Sequence, residues 1–367
     1  MPAHPPAPHE TDGGFVVGAL GRRVRVRISG AGADTFAAAF AGAWAHLLLG
    51  PDGGSDTEVT VGAATADADT IAVALANASA LITRALIDLN TGRRLMLHAG
   101  AAVGPDGRAI LLVGPSGAGK TTAITRLAGA HGYLTDETAF VDADGIVLPY
   151  PKPLSVDRGG PAKAQLTPAG LGLRDAEGPH EVARVIVLDR DAGTPGRPRS
   201  RRLDLVESLR ALVPQISSLQ HHPSPLRAIA ELIRRVGGIE LLGYPDARDL
   251  DPIAGPPEPP RLSAEELAFT AVDCGRSDHA SAASGLLRTP AGDALVAGDL
   301  LVLAHGNDVR VLAGVAKTIW LATAEARSEA DLLELLRDAY GAAPGDESAL
   351  CETVDVLLNA GVLEWRT

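Results

Sequence analysis

The chain has 367 residues, 46% of them hydrophobic, and carries 33 Lys and Arg against 45 Asp and Glu, a formal net charge of −12. This acidic balance argues against a nucleic-acid partner, because neutralising phosphates requires clustered Lys and Arg. No uninterrupted apolar run approaches the roughly 18 residues that a membrane span needs, so we expect no membrane partner. Two cysteines, Cys274 and Cys351, are too few for a disulfide scaffold or a structural zinc site. They fit a reducing compartment and predict a cytoplasmic protein.

The length predicts two or three domains, the first of which covers residues 1–94. Residues 1–12 are rich in Pro and His without periodicity and are predicted to be disordered. A small α/β region then follows. Its patterns predict a strand with alternating faces at Phe15–Ile28, a helix at Asp34–Leu49, a strand at Glu58–Val61 and a helix from about Thr70 to Asn90.

A glycine-rich loop organises the next predicted domain, residues 95–250. A strand at Leu95–Val103 and a return strand at Arg108–Val113 lead into it, and a helical segment follows it at Thr122–Ala130. The loop has P-loop spacing, so its backbone N–H groups can bind nucleotide phosphates, and Lys120 brings a positive charge to the same oxygens. Thr121 can ligand Mg²⁺. We therefore expect ATP and Mg²⁺ to bind at Gly114, Pro115, Ser116, Gly117, Ala118, Gly119, Lys120, Thr121 and Thr122.

Two adjacent carboxylates follow the P-loop helix. Transfer of a phosphoryl group to a hydroxyl also needs a base and metal ligands, and Asp136 and Glu137 are the best candidates for these roles. One carboxylate could accept the proton while the other holds Mg²⁺. Adjacent carboxylates at the start of a strand are also common on protein surfaces, so the pair alone does not decide the matter.

Three further features have two interpretations each. Asp189 follows the apolar run Val185–Leu188 as in a Walker B strand, or it is an ordinary strand exit. His98 is a structural histidine, or a partner for transition-state charge placed near the nucleotide by the hairpin. The basic cluster is a solvated loop, or a substrate or phosphate clamp near the nucleotide; it comprises Arg197, Arg199, Arg201 and Arg202.

The last part of the chain follows a proline-rich stretch. Five of the ten residues 251–260 are proline, which predicts a stiff linker over residues 251–284, with a short helix at Ala264–Thr270. Residues 285–367 have the pattern of a winged-helix-like domain. They contain 6 Lys and Arg against 13 Asp and Glu, a net of −7, which argues against DNA reading. An oligomerisation or purely structural module stays open. The expected elements are strands at Leu300–Ala304 and Asp308–Leu312 and helices at Gly314–Leu321, Glu329–Tyr340 and Glu347–Ala360.

Four motifs resemble the HPr kinase/phosphorylase family over about residues 95–245, and most of all its shorter members found with ribosomal peptide biosynthesis genes. They are Leu97-His98-Ala99-Gly100-Ala101, the P-loop, Leu134-Thr135-Asp136-Glu137 and Tyr150-Pro151-Lys152-Pro153-Leu154. The resemblance implies an α/β P-loop kinase core in which His98 and Asp136 are catalytic, Asp136 and Glu137 serve the metal, and Lys120 and Thr121 contact phosphate and Mg²⁺. The resemblance is also compatible with a homo-oligomer.

The sequence also departs from the bacterial HPr enzymes. Glu137 stands where they have an Asp, and their glycine-rich signature loop is not found, which argues against HPr as the substrate and against reverse phosphorolysis. The C-terminal domain is similar to PqqD-like domains, which bind a precursor's leader peptide as an added strand at a hairpin edge. The resemblance is carried by Gly298–Leu303, Val309–Leu312, Ala316–Trp320 and Val354–Leu363.

Three functions are compatible with these features. The first is an ATP- and Mg²⁺-dependent kinase for a hydroxyl, with Ser as the expected acceptor, on a ribosomally made precursor peptide whose leader the C-terminal domain holds. The second is a non-enzymatic adaptor that senses nucleotide and delivers a peptide. The third is a kinase for a small hydroxylated metabolite.

Overall fold

The computed structural model describes residues 14–50, 54–190, 198–246, 258–274, 284–306, 308–343 and 345–366. Segment 1–12, Arg197 and residues 251–257 of the proline-rich stretch, on which three predictions fall, lie outside the described residues. Contacts divide the chain into two units of mixed α/β structure, which confirms the expected class. Unit 1 comprises Met1–Leu203, Gln215–His221 and Ile239–Arg261, and unit 2 comprises Asp204–Pro214, His222–Gly238 and Leu262–Thr367.

Unit 1 begins with a four-stranded sheet covered by two helices. Its elements are β1 (Phe15–Ala19), β2 (Arg22–Ser29), α1 (Ala33–Trp44), β3 (Leu48–Leu49), β4 (Thr57–Gly62) and α2 (Ala68–Asn90), with strand order β3-β1-β2-β4. The single strand expected at Phe15–Ile28 is wrong. Leu20 and Gly21 have φ of 57° and 72°, as a two-residue hairpin turn requires, so the segment folds back as β1 and β2.

Helix α2 has 23 residues and is apolar enough to cross a membrane by length and composition. The core helix of a soluble protein passes the same test. One face of α2 is buried, including Ile71, Ile82 and Leu86, and it shares a core with Phe36 and Phe40 of α1. This packing accounts for the apolar residues on the buried face of the helix, whereas Val73 and Leu81 of the same helix are each 39% exposed.

The rest of unit 1 is built on a nine-stranded mixed sheet. Its elements are β5 (Leu95–Leu97), β6 (Ala99–Val103), β7 (Ala109–Val113), α3 (Lys120–Ala130), β8 (Tyr133–Thr135), β9 (Ala139–Val141), β10 (Ile146–Leu148), β11 (Leu154–Val156), β12 (Ala164–Leu166), β13 (His180–Arg190), β14 (Arg199–Leu203) and β15 (Ile239–Tyr244). The order is β5-β9-β10-β13-β7-β6-β8, with β15 pairing β13 and β14, while β11 and β12 form a separate hairpin. Strand β7, which leads into the glycine-rich loop, is fully buried between β6 and β13.

The strand expected at Leu95–Val103 is interrupted at His98. Strand β5 pairs with β9, whereas β6 pairs with β7 and β8. The backbone N–H of His98 donates to Gln215 O at 2.6 Å, a bond to a segment distant in sequence. The hairpin of β6 and β7 does form, and it pairs Ala99 with Val113.

The basic cluster does not form the expected loop. Arg199, Arg201 and Arg202 lie in β14, which pairs with β15. The side chain of Arg202 is only 5% exposed and lies 3.6 Å from the Glu240 carboxylate and 3.1 Å from that of Glu258. Neither the solvated loop nor the phosphate clamp describes Arg202, whose charge is neutralised within this ion-pair network.

Unit 2 combines two helices from the middle of the chain with the C-terminal residues. Its elements are α4 (Leu205–Leu212), α5 (Pro225–Arg235), β16 (Thr270–Val272), β17 (Gly285–Arg288), β18 (Asp293–Ala297), β19 (Leu300–His305), β20 (Asp308–Ala313), α6 (Gly314–Ala322), α7 (Glu329–Tyr340), α8 (Asp346–Asn359) and β21 (Leu363–Arg366). The main sheet has the order β16-β18-β19-β20, and β17 pairs with β21. A core that includes Trp320, Leu332 and Leu357 lies under these elements.

The helix expected at Ala264–Thr270 is absent from this described part of the chain. Residues 264–267 form a turn, and Thr270 already begins β16. Reciprocal hydrogen bonds between Ser263 and Glu266 close the turn. Residues 270–272 then pair with β18 as a strand. This tertiary pairing outweighs the local pattern that predicts the start of a helix.

Candidate active site

The glycine-rich loop forms the expected turn between β7 and α3. Gly117 and Gly119 have φ of 85° and 88°, a left-handed conformation that glycine adopts without a Cβ clash. The N–H of Ala118 donates to Pro115 O at 3.2 Å, and Tyr244 donates its hydroxyl proton to Ala118 O. The loop is thereby held at the N-terminus of α3, where free backbone N–H groups favour an anion.

Lys120 is the first residue of α3, and its ammonium folds back over the loop. Its Nζ donates to Gly114 O at 2.5 Å and to Pro115 O at 3.1 Å. Burial lowers the pKa of Lys120 and the charge of Lys163 adds to that effect, while Glu137 and Asp136 oppose it. A phosphate ligand would supply the negative charge that a partly buried ammonium lacks here.

A cavity of about 610 Å³ opens beside the loop and brings together most of the predicted site residues. Of the predicted loop residues, Gly114, Pro115 and Ala118 do not line it; the first two accept hydrogen bonds from Lys120, and the third is buried. The lining residues are His98, Ser116, Gly117, Gly119, Lys120, Thr121, Thr122, Asp136, Glu137, Ser155, Val156, Asp157, Lys163 and Arg190.

His98 reaches the cavity from the break between β5 and β6. Since Ala99 pairs with Val113, His98 lies level with the start of the P-loop. Burial lowers the pKa of His98, Lys120 lowers it further, and the two carboxylates oppose the shift. His98 is therefore neutral at pH 7 and can donate or accept a hydrogen bond there.

A buried lysine that the sequence did not single out organises the acidic pair. The side chain of Lys152 is 0% exposed, and its Nζ lies 3.2 Å from Asp136 Oδ1 and 2.9 Å from Glu137 Oε2. Tyr133 donates its hydroxyl proton to Asp136 Oδ1, and the Ser155 N–H donates to Oδ2, both at 3.2 Å. Asp136 is thus fixed on both oxygens.

Glu137 is the more accessible carboxylate of the pair. Its side chain is 41% exposed, against 2% for Asp136. Burial favours the neutral acid, but Lys152, together with His98 and Lys163, outweighs that effect and lowers the pKa of Glu137. Glu137 and the Thr121 hydroxyl present the hard oxygen donors that Mg²⁺ prefers. Within the described ranges, no group of three or more His, Cys, Asp or Glu could hold a metal by itself, and Mg²⁺ sites with nucleotides commonly use one or two carboxylates.

Strand β13 brings Arg190, and not the carboxylate of Asp189, to the cavity. Leu188 packs with Ala118 under the loop. Arg190, two residues further along the strand, therefore lies on the same face and lines the cavity. Arg190 Nη1 donates to Gly117 O at 3.4 Å. Asp189 lies on the other face, exposed and outside the cavity lining.

The residues missed by sequence reasoning are Lys152, Lys163 and Arg190. Lys152 did carry a signal, because it lies within the motif Tyr150-Pro151-Lys152-Pro153-Leu154. Arg190 follows directly on Asp189, and strand alternation gave no way to choose between them until the buried face of β13 was known. Lys163 lies among Gly and Pro residues and has no local signal.

Comparisons with known proteins add little to this geometry. No family model matches the chain, and no curated protein matches it. Among solved structures, the chain is similar to the Hpr(Ser) kinase/phosphatase from Coxiella burnetii, with 17% sequence identity and a TM-score of 0.25. The match covers 41% of this chain and 85% of that chain. A likeness of this strength identifies no family, so the chemistry of the cavity has to carry the functional conclusion.

Proposed function

We propose that the protein is an ATP- and Mg²⁺-dependent kinase with an HPr kinase-like core, which transfers the γ-phosphoryl group to a hydroxyl of a ribosomally synthesised precursor peptide. The observation that carries this proposal is the convergence of a P-loop and an acidic pair on one cavity. A phosphate-binding loop alone indicates nucleotide binding. A carboxylate pair beside it adds the base and metal donors that transfer to a hydroxyl requires.

The phosphates of ATP bind the N–H groups of residues 116–121, and Lys120 leaves its loop carbonyls to contact them. Thr121 and Glu137 would hold Mg²⁺, which neutralises developing charge on the phosphate oxygens when bound. Asp136 accepts the proton of the acceptor hydroxyl. Lys152 and Tyr133 hold Asp136 in place without blocking Oδ2, whose one hydrogen bond in the described structure comes from Ser155.

His98 completes the site as a neutral group. Its ring lines the cavity together with Lys120 and the acidic pair. A neutral imidazole can orient the acceptor hydroxyl or donate a hydrogen bond to a phosphate oxygen. Burial and the charge of Lys120 disfavour a positive charge on the ring. Both actions therefore depend on where the imidazole ring lies and not on a charge that it carries.

The proposal of a peptide substrate draws on unit 2. Strand β20 pairs with β19 on one side and ends the order β16-β18-β19-β20, so its other side is an open edge in the described structure. Such an edge offers unpaired backbone groups to an extended peptide. The resemblance to PqqD-like domains points to a leader peptide, with a serine as the expected acceptor. Docking raises the effective concentration of the acceptor at the active site.

The proposal is tested by incubating the full chain, γ-labelled ATP and Mg²⁺ with the cognate precursor peptide. We expect label on the peptide with the wild type and a loss of about 100-fold or more with Asp136→Asn, because a positioned base contributes about 10²–10⁴ to the rate. Nucleotide binding by Asp136→Asn should stay near wild type. Peptide binding without transfer would favour the adaptor, and ATP turnover without peptide would favour the metabolite kinase.

A further inference from the structure

The hairpin of β11 and β12 is tied directly to the acidic pair. The Ser155 N–H donates to Asp136 Oδ2 at 3.2 Å, and the Gln165 amide donates to Ser155 Oγ at 3.0 Å. Within the connecting loop, the N–H of Gly159 donates to Asp157 Oδ1 at 2.9 Å. Hydrogen bonds therefore connect the strands on both sides of this loop to Asp136.

Lys163 is the last residue of that loop, directly before β12. It lines the cavity with Lys120 and Glu137. Burial is the main cause of the lowered pKa of Lys120, and the charge of Lys163 adds to it. Burial raises the pKa of Glu137, but Lys152, with smaller effects of His98 and Lys163, lowers it overall. These charge effects agree with the position of Lys163 in the lining of the same cavity, because such effects decline with distance.

No carboxylate of the described residues neutralises the charge of Lys163. In the part of the chain that the structure describes, Lys163 forms no ion pair, whereas Lys152 is paired with both Asp136 and Glu137. Lys120 donates to two loop carbonyls. Lys163 is thus a cation of the cavity that is available to a ligand.

The position of Lys163 matches the γ-phosphoryl group of ATP better than it matches the rest of the ligand. The P-loop and Lys120 take the phosphates, and Asp136 takes the acceptor proton. The group transferred between them is the γ-phosphoryl, and Lys163 lines the same cavity as Lys120 and Asp136.

We propose that Lys163 is a catalytic residue whose ammonium binds a non-bridging oxygen of the γ-phosphoryl group during transfer; this inference rests on the proposed kinase function. In that step the acceptor oxygen forms a bond to the γ-phosphorus while the bond from that phosphorus to the β–γ bridging oxygen breaks. The bridging oxygen leaves on ADP with the electron pair, and the proton of the acceptor passes to Asp136. A cation fixed beside the transferred group stabilises this transition state more than bound ATP.

The test uses the full chain with Mg²⁺, a fluorescent ADP and aluminium fluoride, which mimics the transferred phosphoryl group and needs no acceptor. For the wild type we expect aluminium fluoride to tighten ADP binding at least about 10-fold, as transition-state analogues do. Lys163→Ala should lose most of that gain while binding a non-hydrolysable ATP analogue within about twofold of wild type, and Lys163→Arg should keep most of the gain. Arg158→Ala is the matched control, since Arg158 is exposed on the same loop and outside the cavity lining.

The outcomes test the role of Lys163 separately from the kinase proposal. If Lys163→Ala keeps the full gain, the role of Lys163 is refuted and the kinase proposal stands. If the wild type binds ADP and Mg²⁺ but gains nothing from aluminium fluoride, the proposed transfer reaction fails and the role of Lys163 fails with it. Equal melting temperatures for the four proteins would show that the differences arise at the site.

Discussion

Lys152 shows how a single buried charge fixes the acidic pair. Its ammonium has three oxygen partners, the carboxylates of Asp136 and Glu137 and the carbonyl of Pro153 at 3.2 Å. An ammonium has three N–H donors, so the group is saturated and its burial is compensated. Nearby Asp136 and Glu137 raise the pKa of Lys152 against the desolvation that would lower it, which keeps it charged at any physiological pH.

We predict that Lys152→Met destabilises the protein by about 3–5 kcal/mol, because it leaves the nearly buried Asp136 carboxylate without its cation. The free energy of unfolding in urea measures this. Adding Asp136→Asn to Lys152→Met should recover part of the loss. Arg84→Met removes an exposed pair with Asp88, 73% and 57% exposed, and should cost less than about 1 kcal/mol. Equal costs for Lys152→Met and Arg84→Met would contradict the assignment of Lys152 as a buried paired charge.

His98 predicts a pH dependence of stability. In the unfolded chain the ring binds a proton near the ordinary pKa of 6.5, whereas in the folded chain burial and Lys120 hold its pKa lower. Between these two values the unfolded state binds more protons, so stability falls as pH drops from 6.5 through the folded pKa. NMR titration of the ring should give a midpoint below 6.5, and His98→Gln should reduce the loss of stability in that range. A midpoint at or above 6.5 would overturn this prediction.

At the scale of elements, the sequence predicts well where local signals and tertiary partners agree. The turn from β7 through the loop to α3 is specified by an apolar run, glycines at positive φ and a helix start, and it appears as expected. The break at His98 could not be predicted, because it coincides with a hydrogen bond to Gln215, 117 positions later in the sequence. The Lys152 pair likewise depends on where the segment after β10 returns to the acidic residues.

The alternation of side chains along strand β13 distinguishes the two interpretations of Asp189, a Walker B carboxylate and an ordinary strand exit. This alternation places Arg190 at the cavity and Asp189 on the other face, so we predict that Asp189→Asn leaves the affinity for MgATP within about twofold of wild type. Arg190→Ala should weaken it by about two- to fivefold, the effect of one partly exposed charged contact. Isothermal titration calorimetry on both variants checks this. A large loss in Asp189→Asn alone would restore Asp189 as a Walker B metal ligand.

At the scale of the whole molecule, the division into units does not follow the order of the sequence. Helices α4 and α5 precede the proline-rich stretch, yet by their contacts they belong to unit 2, where α5 packs on β18 and β19. The N–H of Arg227 at the start of α5 donates to Asp293 Oδ2 of β18 at 3.0 Å. Composition marks only the proline-rich stretch, and no local pattern reveals that helices before it belong with strands after it.

This arrangement predicts the consequence of removing residues 285–367. A chain ending at residue 284 loses β18 and β19, on which α5 packs. The buried apolar side chains of α5 include Leu226, Ile229 and Ile233, and those that face the two strands become exposed. Each buried side chain of this size contributes about 1.5–3 kcal/mol, so we expect a lower melting temperature and strong binding of a hydrophobic dye. Asp293→Ala in the full chain is the milder companion variant and should cost about 1–3 kcal/mol. An unchanged melting temperature without dye binding would show that α4 and α5 are stable without the C-terminal residues, and leader docking could then be tested by truncation instead of by substitutions on β20.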